Sequence, residues 1–413
     1  MSGVIRRGLA ATLASVCVAA GAVVAVAVAG PAAGAAGDFY QPPAPLPAGR
    51  DGDVIRSEPV SYVDGGAQAT RVMYLSRDID GAPVPVTGTV LVPDEPWPGP
   101  GPRPIVAYGS ATVGAGDECA LSRTMAGEGR SDALAIQRGV FVNPLLERGF
   151  AVAQTDFQGS GTPGDPTFMA RLPQARAMLD VLRAAQRLPG AGLADDGPVG
   201  ITGYSQSGGA SAAAAELAPD YAPELDLRGV YVGAAPTDIT EVARKTDGGY
   251  AGGILSLALL GANAAYPELD VDGSLLNDRG RGILDSVRGL CTMEIGFRYP
   301  FLRTSSITAD GRPLADHLTA GPFRRLADEQ RIGTLTPDAP VLIEHPLTDD
   351  LVPYRLGTRL ARDWCARGST VEFRTLHTFP FVLSHVAATG DAAEHSGAWL
   401  ADRFAGRTPR STC

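Results

Sequence analysis

The sequence contains little lysine, cysteine or aromatic side chain. Lys245 is the single lysine among 35 basic residues, and aromatic residues make up 6% of the 413 positions. The five cysteines include no C-x-x-C pair, which argues against a zinc site, and they are too few for a disulfide scaffold. The formal net charge of −10 gives no support for a nucleic-acid-binding surface.

Apolar material is abundant. Hydrophobic residues account for 45% of the chain, enough for one large core or two domains. The 51 glycines and 33 prolines show no three-residue period, which excludes collagen. Together with the apolar fraction, this also excludes disorder along most of the length.

The N-terminus has the pattern of an export signal. Arg6 and Arg7 precede an uncharged stretch over 8–37 that ends in small residues at 33–36. A positive start, an apolar middle and a small-residue end predict a cleaved signal peptide over 1–36 and a secreted, extracellular protein. An uncleaved membrane anchor is the alternative, because more than 18 uncharged residues could span a bilayer.

Cleavage would remove one of the five cysteines, Cys17. Four cysteines in an oxidising compartment predict two disulfides. Three pairings are possible, and spacing does not choose among them. The four that remain are Cys119, Cys291, Cys365 and Cys413.

Short apolar runs alternate with amphipathic segments along most of the chain. Strand-like runs occur at 54–63, 71–76, 85–92, 105–108, 150–153, 199–203, 230–233, 340–344 and 370–375. Helical patterns occur at 133–147, 174–187, 210–217, 354–367 and 392–404. This alternation predicts an α/β fold with a mostly parallel sheet covered by helices on both faces.

The alternation lapses in one long segment, which includes an uncharged stretch over 250–266. We therefore expect a helical insertion over 237–338 that divides the sheet domain into 37–236 and 339–413. The uncharged stretch would line a substrate tunnel, form a lid over the site, or pack as a buried helix pair.

The most informative motif is G-Y-S-Q-S-G-G at 203–209, between a predicted strand and an Ala-rich helix. A nucleophile elbow needs this setting, because its serine is exposed on a strained turn with small residues on both sides. Ser205 is the predicted nucleophile, with Gly203 two residues before it and Ser207, instead of glycine, two residues after. Ser207 is the alternative nucleophile, and an ordinary βα turn is the structural alternative.

A serine nucleophile needs a base and an acid, which follow it in the order serine, acid, histidine on this kind of fold. The acid candidates, Asp349 and Asp350, follow the predicted strand at 340–344. One of them would orient the base while the other faces solvent. His317 falls in the insertion and His345 precedes the acid, so the base is one of His377, His385 and His395.

These motifs together resemble the secretory lipase family of α/β hydrolases. The resemblance runs from about residue 40 to 413, and motifs in the expected order carry it. They are A-Y…G-A-G-D-E-C at 107–119, D-F-Q-G-S-G-T-P at 156–163, the elbow at 203–209, D-D-L-V-P at 349–353 and W-L-A-D-R-F at 399–404.

The resemblance implies an α/β-hydrolase fold and a set of site residues. Ser205 would be the nucleophile, Asp349 the acid and His385 the base, with His377 and His395 as fallbacks. The oxyanion donors would be the backbone N–H groups of Gln206 and, within one residue, Thr112. The resemblance also implies the disulfide pairs Cys119–Cys291 and Cys365–Cys413.

The implied activity is that of a secreted triacylglycerol lipase or esterase that works through an acyl-enzyme. The expected partner is a lipid or ester substrate with transient contact to a lipid interface; nothing implies a metal, a cofactor, a nucleic acid or an obligate protein partner. A serine peptidase or acyltransferase on the same fold, or a non-catalytic secreted binding protein, are the alternatives.

Overall fold

The computed structural model describes residues 38–130, 138–379 and 383–413. The predicted signal peptide at 1–36 lies outside the described residues, as does the first part of the helix predicted at 133–147. The other strands and helices expected from the sequence are present, with ends that differ by a few residues.

The described residues contain one nine-stranded sheet. Its strands are β1 (Val54–Val60), β2 (Ala67–Arg77), β3 (Pro83–Pro93), β4 (Ile105–Gly109), β5 (Ala151–Thr155), β6 (Val199–Thr202), β7 (Leu227–Gly233), β8 (Val341–Pro346) and β9 (Val371–Leu376). Their spatial order is β1-β2-β3-β5-β4-β6-β7-β8-β9.

The sheet has an antiparallel and a parallel part. Strands β1, β2, β3 and β5 pair antiparallel, while β5, β4, β6, β7, β8 and β9 pair parallel. All five residues of β4 and of β5 are buried, as expected for central strands covered on both faces. The predicted mostly parallel α/β sheet is therefore confirmed.

Thirteen α-helices occur in the described ranges. They are α1 (Leu121–Met125), α2 (Asn143–Glu147), α3 (Arg171–Gln186), α4 (Gln206–Tyr221), α5 (Ile239–Thr246), α6 (Leu255–Ala265), α7 (Asp278–Val287), α8 (Thr292–Arg298), α9 (Leu314–His317), α10 (Pro322–Glu329), α11 (Tyr354–Ala366), α12 (Ser384–Ala387) and α13 (Thr389–Phe404).

Helices cover both faces of the sheet. One hydrophobic cluster joins the central strands to α3, α4 and α11 and contains Met178 and Trp364. A second cluster on other strand side chains includes Phe141 of the short segment before α2, and Trp399 and Leu400 of α13. Because side chains alternate along a strand, both faces of each central strand are buried.

Helices α5 to α10 lie in the segment that connects β7 to β8, where the sequence predicts an insertion. They pack around a third hydrophobic cluster that contains Leu257, Leu260 and Ile295 and reaches Phe168 of the sheet domain. The limits of 237 and 338 for a separate cap remain a prediction.

Two disulfides are present in the structure. Cys119, which precedes α1, is bonded to Cys291 at the start of α8 and so joins the sheet domain to the helical segment. Cys365 of α11 is bonded to Cys413. The second bond holds the C-terminus beside β9, where the Thr412 N–H donates to the Val371 carbonyl.

Candidate active site

Ser205 occupies a sharp turn between β6 and α4. Its φ of 60° and ψ of −122° are unusual for a residue other than glycine. Such a conformation costs on the order of 1–3 kcal/mol and occurs mainly at functional sites. Its backbone N–H donates to the Gly233 carbonyl at 3.0 Å, which fixes the turn against β7.

The residues around Ser205 pack too closely for larger side chains. A Cβ at Gly203 would lie 2.3 Å from the Ser207 carbonyl oxygen, and one at Gly208 would lie 2.0 Å from the Gly233 carbonyl oxygen. The turn therefore requires glycine at both positions, as an elbow in which strand and helix nearly touch would.

Ser207 fits this turn although it replaces the expected glycine. Its side chain is fully buried, and its Oγ lies 3.0 Å from both the N and the O of Tyr204. Gly109, at the end of β4, leaves room for it, since a Cβ there would approach the Ser207 Cβ to 3.0 Å. These contacts satisfy the Ser207 hydroxyl within the turn and leave Ser205 as the serine beside the histidine.

The structure brings Ser205, His385 and Asp349 together. The Nε2 atom of His385 lies 2.8 Å from Ser205 Oγ, and its Nδ1 atom lies 2.8 Å from Asp349 Oδ2. The three residues follow β6, β9 and β8, where parallel strands present their carboxyl ends at one edge. This geometry suits transfer of a proton from the serine hydroxyl to the imidazole.

Asp349 is held as a carboxylate. Its Oδ1 accepts hydrogen bonds from the N–H groups of Leu351 and Val352 at 2.9 and 2.7 Å. Burial by itself would raise the pKa of Asp349, but attraction to His385 and the hydrogen bonds outweigh it, so the pKa lies below its usual value. A carboxylate can only accept, so His385 carries its proton on Nδ1 and presents the Nε2 lone pair to Ser205.

Both predicted oxyanion donors lie at the same cavity as Ser205. Gln206 is the first residue of α4, and Thr112 belongs to the loop after β4. Thr292, the first residue of α8, holds this loop by donating from Oγ1 to the Thr112 carbonyl at 2.8 Å and from N to the Val113 carbonyl at 3.0 Å. Their role as donors to a reacting oxygen remains a prediction.

A cavity that is partly open to solvent extends from Ser205 into the helical segment. Its wall is mostly apolar and includes residues of α5, α6, α9 and α10. Representative lining residues are Ile239, Leu255, Ala258, Ala262, Leu314 and Phe323. An apolar cavity with Ser205 among its lining residues suits a substrate with a hydrocarbon part.

The other histidines lie away from Ser205. His395 is on α13 and contacts Glu344 with its Nδ1 at 3.0 Å, while His377 is exposed after β9. His317 pairs with Asp310 in the helical segment. His345 is completely buried, and its Nε2 lies 3.0 Å from the Val352 carbonyl oxygen and 3.5 Å from Asp349 Oδ2.

Two further residues contact His385. The Tyr204 hydroxyl donates to the His385 carbonyl at 2.7 Å. Asp350 accepts from the His385 backbone N–H at 3.0 Å, so the expectation that the second aspartate faces solvent is wrong. The only sequence signal for a role of Asp350 at the site was its position next to Asp349. Nothing in the sequence indicated the contact between Tyr204 and His385.

Within the described ranges, no group of three or more His, Cys, Asp or Glu side chains is arranged to hold a metal ion. Across the same residues, no helix combines the length and apolar character needed to cross a membrane.

This chain is similar to known proteins over most of its length. A family model described as "Secretory lipase" matches residues 130–412. A probable inactive lipase of Mycobacterium tuberculosis is 29% identical, covering 89% of this chain and 82% of the relative. A secreted triacylglycerol lipase of Malassezia furfur is 26% identical, covering 91% of this chain and 77% of the relative.

The crystal structure of Candida antarctica lipase A matches with a TM-score of 0.77 at 23% identity, covering 91% of this chain and 87% of that one. An esterase of Xanthomonas oryzae that degrades the rice cell wall matches with a TM-score of 0.70 at 18% identity, covering 86% of this chain and all of that one. These structures confirm the predicted α/β-hydrolase fold.

Proposed function

The chain belongs to the secretory lipase family, and from that premise we propose that it is a secreted carboxylic ester hydrolase that acts on triacylglycerols. The contact of His385 with both Ser205 and Asp349, at 2.8 Å each, carries the proposal. Names of relatives alone would not carry it, because one of them is called a probable inactive lipase.

In the proposed reaction, Ser205 Oγ attacks the ester carbonyl carbon while His385 Nε2 takes the hydroxyl proton. Asp349 stabilises the imidazolium that forms. The tetrahedral oxyanion accepts from the backbone N–H groups of Gln206 and Thr112, each worth about 3–4 kcal/mol to the transition state. The proton on His385 then passes to the leaving alcohol, which leaves an acyl group on Ser205.

Deacylation repeats these steps with water. His385 takes a proton from the water, whose oxygen attacks the acyl carbonyl carbon, and returns it to Ser205 Oγ as the carboxylic acid leaves. The reaction needs no redox partner and no group beyond the protein and water. In this proposal the shape and lining of the cavity select the ester that reacts.

The acyl chain of the substrate would occupy the cavity beside Ser205. Small side chains of α6, among them Ala258 and Ala262, leave it open, and few polar atoms line it. Each buried methylene contributes about 0.8 kcal/mol, so the cavity favours long chains. In this proposal the helical segment at 237–338 is the cap of the enzyme, and α6 forms one wall of its acyl site.

Contact with a lipid interface fits the exposed apolar side chains of this chain. Leu383 and Val386, on either side of His385, are about half-exposed, and Phe297 of α8 is 79% exposed. The two disulfides fit the proposed extracellular location, because such bonds persist in oxidising compartments.

Hydrolysis of an ester series tests the proposal. Wild-type protein is assayed on emulsified triacylglycerols and on soluble esters of increasing chain length, beside Ser205→Ala and the surface control Ser57→Ala. We expect the activity of wild-type protein to rise with chain length. Ser205→Ala should abolish this activity, and Ser57→Ala should retain it. Unchanged activity in Ser205→Ala would contradict the assignment of Ser205 as the nucleophile. Activity on peptides alone would favour a serine peptidase.

A cavity variant tests the substrate class separately. Ala258→Phe narrows the proposed acyl site, while Ala309→Phe adds the same ring at an exposed position of the helical segment. The first should lower activity on long-chain esters more than on acetates, and the second should change neither. If wild-type protein prefers soluble acetates and does not attack emulsions, the lipase assignment reduces to that of a general esterase.

A further inference from the structure

Asp350 makes a set of contacts that the proposed reaction does not yet use. Its Oδ2 accepts from the Leu383 N–H at 2.7 Å, and its Oδ1 accepts from the His385 N–H at 3.0 Å. The Ser384 Oγ lies 3.2 Å from the same Oδ1 and donates to the Thr348 carbonyl at 2.6 Å. The carboxylate thus accepts from the backbone N–H groups of Leu383 and His385 and contacts the hydroxyl of the residue between them.

The bound segment needs such a restraint. Leu383 has φ of 65° and ψ of 20°, a left-handed conformation that is unfavourable for a side chain with a Cβ. Without Asp350, the two backbone N–H groups that donate hydrogen bonds to it would need another acceptor. Hydrogen bonds to an ionised acceptor are about twice as strong as neutral ones, so a carboxylate suits this task.

We propose that Asp350 is a positioning residue: it fixes the main chain of His385 while Asp349 orients the imidazole ring. The proposal rests on the ester hydrolysis proposed above. Asp349 reaches only the ring of His385, through Nδ1, and a ring contact leaves the position of the backbone open. Asp350 restrains that backbone at its N–H group, while the Tyr204 hydroxyl contacts it at the carbonyl oxygen.

The two aspartates act from one loop. Asp349 Oδ1 closes that loop by accepting from Leu351 and Val352, so the adjacent carboxylates keep a fixed separation. His385 is thereby held at its ring and at its backbone by neighbouring residues. With both restraints in place, its Nε2 lies 2.8 Å from Ser205 Oγ.

Loss of the Asp350 restraint should lower kcat with little change in KM. A displacement of about 1 Å between reacting groups can cost on the order of 10²-fold in rate. Asp350 is not among the residues that line the cavity, so substrate binding should change little. Asp350→Ala removes all the contacts, whereas Asp350→Asn keeps one acceptor oxygen and should lose less.

The experiment compares Asp350→Ala and Asp350→Asn with Asp391→Ala, an exposed aspartate in the first turn of α13. Hydrolysis of a soluble chromogenic ester is measured per active site, counted by titration with a fluorophosphonate. Proton NMR of the His385 Nδ1–H, which the contact with Asp349 shifts far downfield, reports the position of the ring without any turnover.

We expect Asp350→Ala to lower kcat by about 10- to 100-fold, to leave KM nearly unchanged and to broaden or remove the Nδ1 resonance. Asp391→Ala should match wild type in all three, and Asp350→Asn should be intermediate; it also serves as the test if the alanine variant does not fold. An unchanged kcat and resonance in a folded Asp350 variant overturn the proposal. Failure of the proposed function is distinct: wild-type protein would then lack activity while the resonance still responded to Asp350.

Discussion

Two histidine–carboxylate pairs have a carboxylate within or just after β8, and only one of them contacts the serine of the elbow. His385 contacts Asp349 at 2.8 Å, and His395 contacts Glu344 at 3.0 Å, in each case through Nδ1. The first pair is almost completely buried. In the second, Glu344 is buried while 44% of the His395 side chain is exposed.

A histidine paired with a carboxylate is not, by that pairing alone, a catalytic base. His385 presents Nε2 to Ser205 because it follows β9 at the edge where β6 ends. His395 lies within α13, whose buried residues pack against the sheet. Its partner Glu344 also accepts from the Tyr231 hydroxyl at 3.0 Å, which makes this pair part of a packing network.

The two carboxylates also differ in electrostatics. Burial raises the pKa of Glu344 above its usual value, and attraction to His395 and the hydrogen bond from Tyr231 oppose that rise only in part. For Asp349 the opposing attractions win, and the pKa is lowered. Two backbone N–H groups and the imidazole converge on Asp349, which is the difference that keeps it ionised.

Removal of each histidine in turn should separate the pairs most strongly. His385→Ala should lower kcat for ester hydrolysis by about 10⁶-fold, the scale for losing the base of a serine triad. His395→Ala should stay within a few-fold of wild type, since it has no contact with Ser205. Steady-state kinetics on a soluble ester measures both, and a larger loss in His395→Ala would reverse the assignment of the base.

Neutralising the carboxylates should give a smaller but still unequal effect. Asp349→Asn should lower kcat by about 10⁴-fold, because an amide can hold the imidazole in the wrong tautomer. Glu344→Gln should leave kcat within a few-fold, because its pair has no serine. The same assay applies, with circular dichroism to verify folding. Equal losses in the two variants would show that the pairs act as one network.

Thermal unfolding across pH should distinguish the carboxylates by sign. Glu344 has a raised pKa, so its favourable contribution is complete below the usual pKa of glutamate and is lost as pH rises through the raised value. Asp349 has a lowered pKa, so its contribution is present above the usual pKa of aspartate and is lost as pH falls through the lowered value.

Glu344→Gln should therefore gain stability relative to wild type as pH rises from the usual pKa of glutamate, about 4.3, through the raised value, since glutamine cannot ionise. Asp349→Asn should instead lose stability relative to wild type as pH rises through the lowered pKa to the usual pKa of aspartate, about 3.9. Each kcal/mol corresponds to on the order of 2–4 °C in Tm. If the stability relative to wild type changed in the same direction with pH for both variants, the opposite pKa shifts of Glu344 and Asp349 would be contradicted.

The sequence predicted the parts of the site that depend on local pattern. The strand, small residues and helix around Ser205 predicted its turn, and the position after a strand indicated Asp349 and Asp350 as acid candidates. The choice of Asp349, and of His385 among three histidines, followed from the family resemblance. The pairing of cysteines followed from the family resemblance, not from spacing, and the structure contains the same two bonds. The role of each residue in catalysis remains a prediction.

Contacts between segments distant in sequence could not be predicted in the same way. Ser207 fits because Gly109, on another strand, leaves room for it, and no local pattern links the two. Asp350 resembles a solvated turn residue until the turn at Leu383 is placed beside it. The buried position of His345 likewise depends on the path of the loop that carries Val352.

Covalent labelling shows directly whether Ser205 is a nucleophile that His385 activates. Wild-type protein is treated with a fluorophosphonate, digested and mapped by mass spectrometry, beside His385→Ala and His395→Ala. We predict one modified serine, Ser205, with labelling lost in His385→Ala and retained in His395→Ala. Modification of Ser207 or another serine, or no modification of folded wild-type protein, would contradict the account.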